Sequence, residues 1–300
     1  MDRLRSALSA LGAVLTGAGV LILLFVAYQL WGTGLYTSRQ QDSLKSQFKQ
    51  KAHVEQPASS TTSTTLDPLH LPPPPPTGEA VANIRIPKIG VDKYVVQGVG
   101  VADLRKGPGH YPQTPLPGEQ GNAAIAGHRT TYGAPFNRLD ELAPGDEILV
   151  TTVKGSFRYT VATSHVVKPD QTEVLDPTPT PTLTLTTCNP KYSASQRLIV
   201  VANLAPGQTA GPATPPPPSA QNGKDTGLAG EGLDDAGLAS GKSKIPTILW
   251  GTVTFLIGLG WWLVIRKRRH WTSYLGGVVP FLVALFFFYA HLELLLPTNF

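Results

Sequence analysis

Apolar residues follow two different patterns along this chain. Near the ends they run almost unbroken, from about Ala7 to Trp31, from about Ile245 to Ile265 and from about Trp271 to Leu295. A helix that crosses a bilayer needs about 20 predominantly apolar residues, so these runs predict three transmembrane α-helices. Between roughly Glu79 and Ala205 the pattern changes to short β-rich runs divided by Gly, Pro and Lys-Gly turns. Predicted strands cover Ala82 to Ile86, Tyr94 to Val99, Asn122 to Ala126, Ile148 to Val153, Phe157 to Val167, Leu183 to Thr187 and Leu198 to Leu204. The two runs either side of Lys154-Gly155 read as a hairpin. Many short strands with regular punctuation predict a mainly β domain, a closed barrel or a sandwich. Val101 to Arg105 and Phe136 to Leu142 read as short helices in its connections.

Composition sharpens the domain plan. Much of the 30 Gly and 28 Pro sits in two stretches that bury no core. Residues 37–78 form a Ser/Thr/Pro-rich linker that ends in Pro72 to Pro76, and residues 206–244 form a second one, Pro/Gly-rich, with Pro215 to Pro218. The plan is therefore a signal-anchor helix over 1–36, the linker, a compact domain over 79–205, the second linker, a span over 245–265, a basic loop over 266–270 and a span over 271–295. The first run continues to Ala27-Tyr28-Gln29-Leu30-Trp31 with no small-residue cleavage site, so it reads as an uncleaved anchor.

The net charge of +5 does not mark a nucleic-acid binder. Four of the positive charges are Arg266-Lys267-Arg268-Arg269, wedged between two apolar runs, where the lipid bilayer reads them. Such a loop stays cytoplasmic, which puts the central domain outside the plasma membrane in a multi-pass protein. Arg39, Lys45, Lys49 and Lys51 after the first run argue the other way, but they are less dense.

The chain has one cysteine, Cys188, so no intramolecular disulfide forms. No metal-ligand spacing, glycine-rich nucleotide loop or repeat occurs, and neither a metal nor an organic cofactor is expected. Of seven histidines, His110, His128 and His165 fall in the central domain. Cys188 and His128 end predicted strands, and Arg197 begins one. A thiolate can attack a carbonyl, an imidazole can carry the proton, and a guanidinium fork can meet an oxyanion. Composition and spacing alone leave two readings open, a cysteine enzyme and a ligand-binding β-module with a structural cysteine.

Four motifs narrow the choice. Thr184-Leu185-Thr186-Thr187-Cys188 resembles the TLxTC signature of sortases, and Arg197 stands where that family carries its catalytic arginine. Ala126-Gly127-His128 is similar to the family's histidine motif, and Asn83-Ile84-Arg85-Ile86-Pro87-Lys88-Ile89 to its opening strand. The resemblance implies a closed sortase-type β-barrel with catalytic His128, Cys188 and Arg197. Cys188-Asn189-Pro190-Lys191-Tyr192 further resembles the actinobacterial class E housekeeping enzymes. That subclass implies an LAxTG or LPxTG-like sorting signal cut between Thr and Gly, with Tyr111 and Thr187 as substrate-binding residues. Its implied partners are secreted proteins bearing C-terminal sorting signals and a peptidoglycan-precursor amine. A pilin-polymerising sortase is the near alternative. An L,D-transpeptidase is disfavoured, because Thr187 rather than glycine precedes Cys188.

Overall fold

The computed structural model describes residues 2–54, 75–214, 244–267 and 271–292. Two compact units result, one of terminal helices and one built on the central β domain.

The helical unit begins with α1, Asp2–Ala27, which ends at a π-helical turn over Tyr28–Gly32. Beyond that turn, in the β-domain unit, lies α2, Thr33–Val54. The sequence reading places an extended linker from residue 37, and the helix corrects it. Most of the linker's Ser/Thr and proline run lies outside the described residues.

The β domain is a closed barrel in the strand order β1-β2-β3-β4-β7-β8-β6-β5. The strands are β1 Ala80–Ile86, β2 Val91–Gln97, β3 Gly109–His110, β4 Asn122–Ala126, β5 Glu147–Thr152, β6 Gly155–Val167, β7 Thr182–Asn189 and β8 Gln196–Leu204. A one-turn helix, α3, spans Val101–Leu104, and the helix expected near 136–142 is reduced to a 3-10 turn at Leu139–Glu141.

Alternation along the strands decides what fills the barrel. Ile84 and Ile86 of β1, Ile125 of β4, Leu183 and Leu185 of β7 and Leu198 and Val200 of β8 point inward and form one core with Phe136, Leu139 and Ile148. The opposite face of β4 and β7 is covered as well. Ala124 and Ala126 pack there with Tyr111, Leu104, Val99 and Leu175. Asn122 fastens that cover, donating from Nδ2 to the carbonyls of Val174 at 2.9 Å and Asp176 at 3.1 Å.

Helix α2 belongs to this domain. Leu44 and Phe48 bury against Ala80 and Val96. The Gln41 amide caps the backbone of β2, donating to Tyr94 O at 2.9 Å and accepting from Tyr94 N at 2.7 Å. It also donates to Lys106 O at 2.9 Å. A side chain at Gly107 would collide with that amide, its Cβ falling 2.2 Å from Gln41 Nε2. At the other end the domain runs past the expected limit of 205. Glu119, 1 % exposed, accepts from Thr214 N at 2.9 Å and pairs with Lys154 at 2.7 Å. Burial acts to raise the Glu119 pKa, but the bonds from Lys154 and Thr214 outweigh it and hold the carboxyl below its ordinary range.

In the helical unit, α4, Ile245–Lys267, packs against α5, Trp271–Leu292. Trp250 stacks on Phe287 with ring centroids 4.6 Å apart, and Tyr289 of α5 donates to Leu21 O of α1 at 2.7 Å. Among the described residues two helical stretches are long and apolar enough to cross a membrane, Leu15–Ala52 and Ile245–Val264. The third expected span falls on α5, whose apolar stretch Gly276–Leu292 is shorter than that criterion requires. Residues 268–270 of the basic loop and 293–295 of the third span lie outside the described residues.

Candidate active site

Two neighbouring strands carry Cys188 and Arg197 to one level of the barrel, and His128 follows the end of a third. β4 and β7 run parallel with Ala126 opposite Thr186. The ladder continues one residue further, because Gly127 N donates to Thr186 O at 3.0 Å. His128 follows Gly127, two residues beyond the end of β4. β7 and β8 are antiparallel, with Cys188 directly opposite Arg197. Leu183 and Leu185 face inward, so Thr184, Thr186 and Cys188 face outward by the period of two. Arg197 shares that face, because directly opposed residues lie on the same side of a sheet.

Each side chain is held by a local device. Gly127 is needed for close approach, since a Cβ there would lie 2.6 Å from the Phe136 ring. Phe136 itself is fully buried and donates from its N–H to His128 O at 3.1 Å. Thr187 Oγ1 donates to Gly127 O at 2.7 Å, tying β7 to the His128 segment. Arg197 is 1 % exposed, and its Nη1 donates to Ala194 O at 2.7 Å and Gln196 O at 3.0 Å. Those bonds orient the guanidinium on the strand that faces Cys188, which is half-buried and unpaired in any disulfide.

Arg129, which sequence reasoning did not single out, braces the arrangement. Its Nη1 donates to Cys188 O at 3.2 Å and to Asn189 Oδ1 at 3.0 Å. Its Nη2 pairs with Asp140 at 3.0 Å. The only signal in the sequence is its place directly after His128.

The electrostatics favour a neutral imidazole. Burial, and then the charge of Arg105, push the His128 pKa down to about 4. A neutral ring can take the thiol proton as the sulfur attacks. His110 has the same depressed value, about 4, from burial, but a different use. It is 1 % exposed and bonded through Nδ1 to Gln97 Oε1 and through Nε2 to Pro115 O, both at 2.8 Å. His165 lies on β6, opposite Ile199 of β8. Neither joins Cys188.

The two residues expected at the substrate, Tyr111 and Thr187, are both buried. Tyr111 is fully buried, with its hydroxyl 3.4 Å from Thr186 Oγ1. Thr187 is 3 % exposed and bonded to Gly127 O. In this conformation both side chains hold the barrel wall together. The reason is alternation: Thr187 turns away from the Cys188 face, and Tyr111 lies beneath the cover formed by Leu104 and Leu175. No group of metal-binding side chains occurs among the described residues.

Comparison with known proteins gives a consistent set of relatives. The sortase domain family matches residues 84–205. Sortase SrtE1 of Streptomyces coelicolor is 33 % identical over 207 residues, 64 % of this chain and 55 % of that protein. Sortase D of Bacillus subtilis is 35 % identical over 117 residues, 39 % of this chain and 58 % of that protein. The chain thus spans little more than half the length of these curated relatives. Among solved structures, sortase E from Streptomyces avermitilis is 40 % identical, with a TM-score of 0.40, over 44 % of this chain and 91 % of that one.

Proposed function

Because the chain belongs to the sortase family, we propose that its barrel is a cysteine transpeptidase that cuts a sorting signal and joins the new end to an amine. The observation that carries the reading is the register of three adjacent strands. It pairs Cys188 with Arg197 across β7 and β8 and ends β4 two residues before His128, which supports reading the three as one site.

The chemistry follows from that order. The Cys188 sulfur attacks the Thr carbonyl of an LAxTG or LPxTG-like signal, and His128 accepts the thiol proton. The carbonyl oxygen becomes an oxyanion that the Arg197 guanidinium stabilises. The C–N bond breaks, His128 passes its proton to the leaving glycine nitrogen, and the acyl group remains on sulfur as a thioester. An incoming amine then attacks, returns a proton to His128 and restores the thiol. One amide is exchanged for another, so no redox partner is needed.

The donor substrates are secreted proteins with C-terminal sorting signals, and the acceptor is a cell-wall precursor amine. The motif around Cys188 and the class E relatives support this over pilin polymerisation. The exposed apolar side chains of α1 and α4, Leu15, Ile22, Leu23, Ile248, Leu249 and Phe255 among them, suit lipid. With spans in α1 and α4 and Arg266–Arg269 cytoplasmic, the barrel lies outside the plasma membrane.

The test is cleavage of LAxTG and LPxTG peptides with and without an added amine. Amine-dependent formation of the joined product, absent in Cys188→Ala, supports the reading. Cleavage that persists in Cys188→Ala removes it.

A further inference from the structure

The segment after His128 turns back on itself in an unusual way. Tyr132, Gly133 and Ala134 all have positive φ, at 51°, 72° and 41°. Two of the three are not glycine, and such backbone persists only where neighbours hold it. The fold brings the Tyr132 ring against His128, with centroids 5.1 Å apart and planes 37° apart. The Arg105 guanidinium lies over the same Tyr132 ring, 5.4 Å from its centroid. Tyr132 is 8 % exposed and Arg105 9 %, so both contacts are shielded from water.

What holds this cluster comes from α2. Tyr132 N donates to Thr33 Oγ1 at 3.1 Å, and Thr37 Oγ1 donates to Arg105 O at 2.9 Å. Thr33 and Thr37 are one helical turn apart and both are buried. Gln41, a turn further on, locks the same face of α2 to β2 and to Lys106. One helix face therefore grips Tyr132, Arg105 and the barrel in succession.

We propose that Tyr132 is a positioning residue for the His128 imidazole, and that α2 keeps it in place through Thr33. The inference rests on the reading of His128 as the proton carrier. A ring that packs against the imidazole limits its rotation and keeps water from it. A loop that loses its bond to Thr33 is free to leave the strained turn, taking the ring with it. Among the described residues, these charged and titratable groups bear on His128. Arg105 acts on it from the end of α3 and the Tyr132 ring packs on it from its own loop, while Cys188 and Arg197 lie on β7 and β8, the strands next to β4. The Arg129 guanidinium is turned to Asp140 and the β7 carbonyl. Thr33 and Thr37 carry no charge, so changing Thr33 alters position without altering the local field.

The experiment uses the full chain in detergent micelles with histidine labelled at Cε1, and His128 assigned by comparison with His128→Asn. Its titration is followed by NMR in wild type, Thr33→Val, Thr33→Ser, Tyr132→Leu and Tyr132→Phe, beside kcat and KM for a sorting-signal peptide. Thr33→Val and Tyr132→Leu are expected to move the His128 midpoint up toward the ordinary value. They lower kcat about two- to tenfold at unchanged KM, the effect of one lost hydrogen bond or contact. Thr33→Ser and Tyr132→Phe, which keep the acceptor and the ring, are expected to titrate as wild type. If Tyr132→Leu fails to fold, Thr33→Val alone decides. A Thr33→Val protein that folds and titrates His128 as wild type does overturns the inference. The NMR reading stands whether or not the peptide is turned over, so failure of the transpeptidase reading is seen separately.

Discussion

Cys188 and Arg197 are directly opposed residues of antiparallel strands, eight residues of β7 pairing with eight of β8 from Thr182↔Asn203 to Asn189↔Gln196. The long ladder fixes the thiol and the guanidinium at one rung, and Ala194 of the short loop and Gln196 at the start of β8 supply the carbonyls that orient Arg197. Arg197→Lys keeps the charge and loses the planar fork. The kcat/KM for a sorting-signal peptide is expected to fall about a hundredfold to a thousandfold, the usual cost of an oxyanion donor. A lysine variant within a few-fold of wild type would leave Arg197 a structural charge.

Arg129 is the strut between the His128 segment and β7. Arg129→Met keeps the length but leaves Cys188 O and Asn189 Oδ1 without their donor. Its unfolding free energy is expected to fall by about 1–3 kcal/mol, the cost of buried polar groups left unpaired. Asp140 is 47 % exposed, so Asp140→Asn is expected to cost less than about 1 kcal/mol. Denaturant titration of both variants checks the order.

His110 makes the fold sensitive to acid. Its folded pKa, about 4, lies below the ordinary value of 6.5. An unfolded chain therefore binds the proton first as pH falls. Above 6.5 the group contributes no difference. Between 6.5 and about 4 stability drops, by up to about 3 kcal/mol if the shift is fully realised. Thermal unfolding from pH 7 to 4 is expected to show this decline, with a shallower slope in His110→Gln. Equal slopes would assign the acid sensitivity elsewhere.

The membrane arrangement has its own check. In a Cys188→Ser background, Ser219→Cys places one thiol in the second linker. An impermeant maleimide is expected to label it in intact cells. Labelling only after permeabilisation would reverse the orientation.

Much of the barrel was legible because apolar periodicity carried it. β4 spans Asn122–Ala126 as the pattern predicts, and the strands bearing Cys188 and Arg197 are in place. β3 was not legible, since a two-residue strand has no period. Helix α2 was missed for a different reason. Its inward face is Thr33, Thr37, Gln41, Leu44 and Phe48, helical in spacing but polar in its first three members. Those polar groups bond to barrel backbone and side-step the hydrophobic signal. The candidate site residues Cys188, His128 and Arg197 were readable as motifs. Tyr132 and Arg105 were not, because their meeting depends on a turn with three consecutive positive φ values. The burial of Tyr111 was not legible either, because a resemblance at the motif level does not tell which side chains the outer cover buries.

The central claim is that Cys188 carries the acyl group between two amines. Its most direct measurement is intact-protein mass spectrometry after mixing the full chain with an LAxTG peptide without an added amine. The expected result is a mass increase equal to the peptide up to its Thr acyl group, mapped to Cys188 and discharged by an amine or hydroxylamine. Release of the glycine-terminated fragment with no adduct on Cys188, or an adduct on another residue, would contradict it.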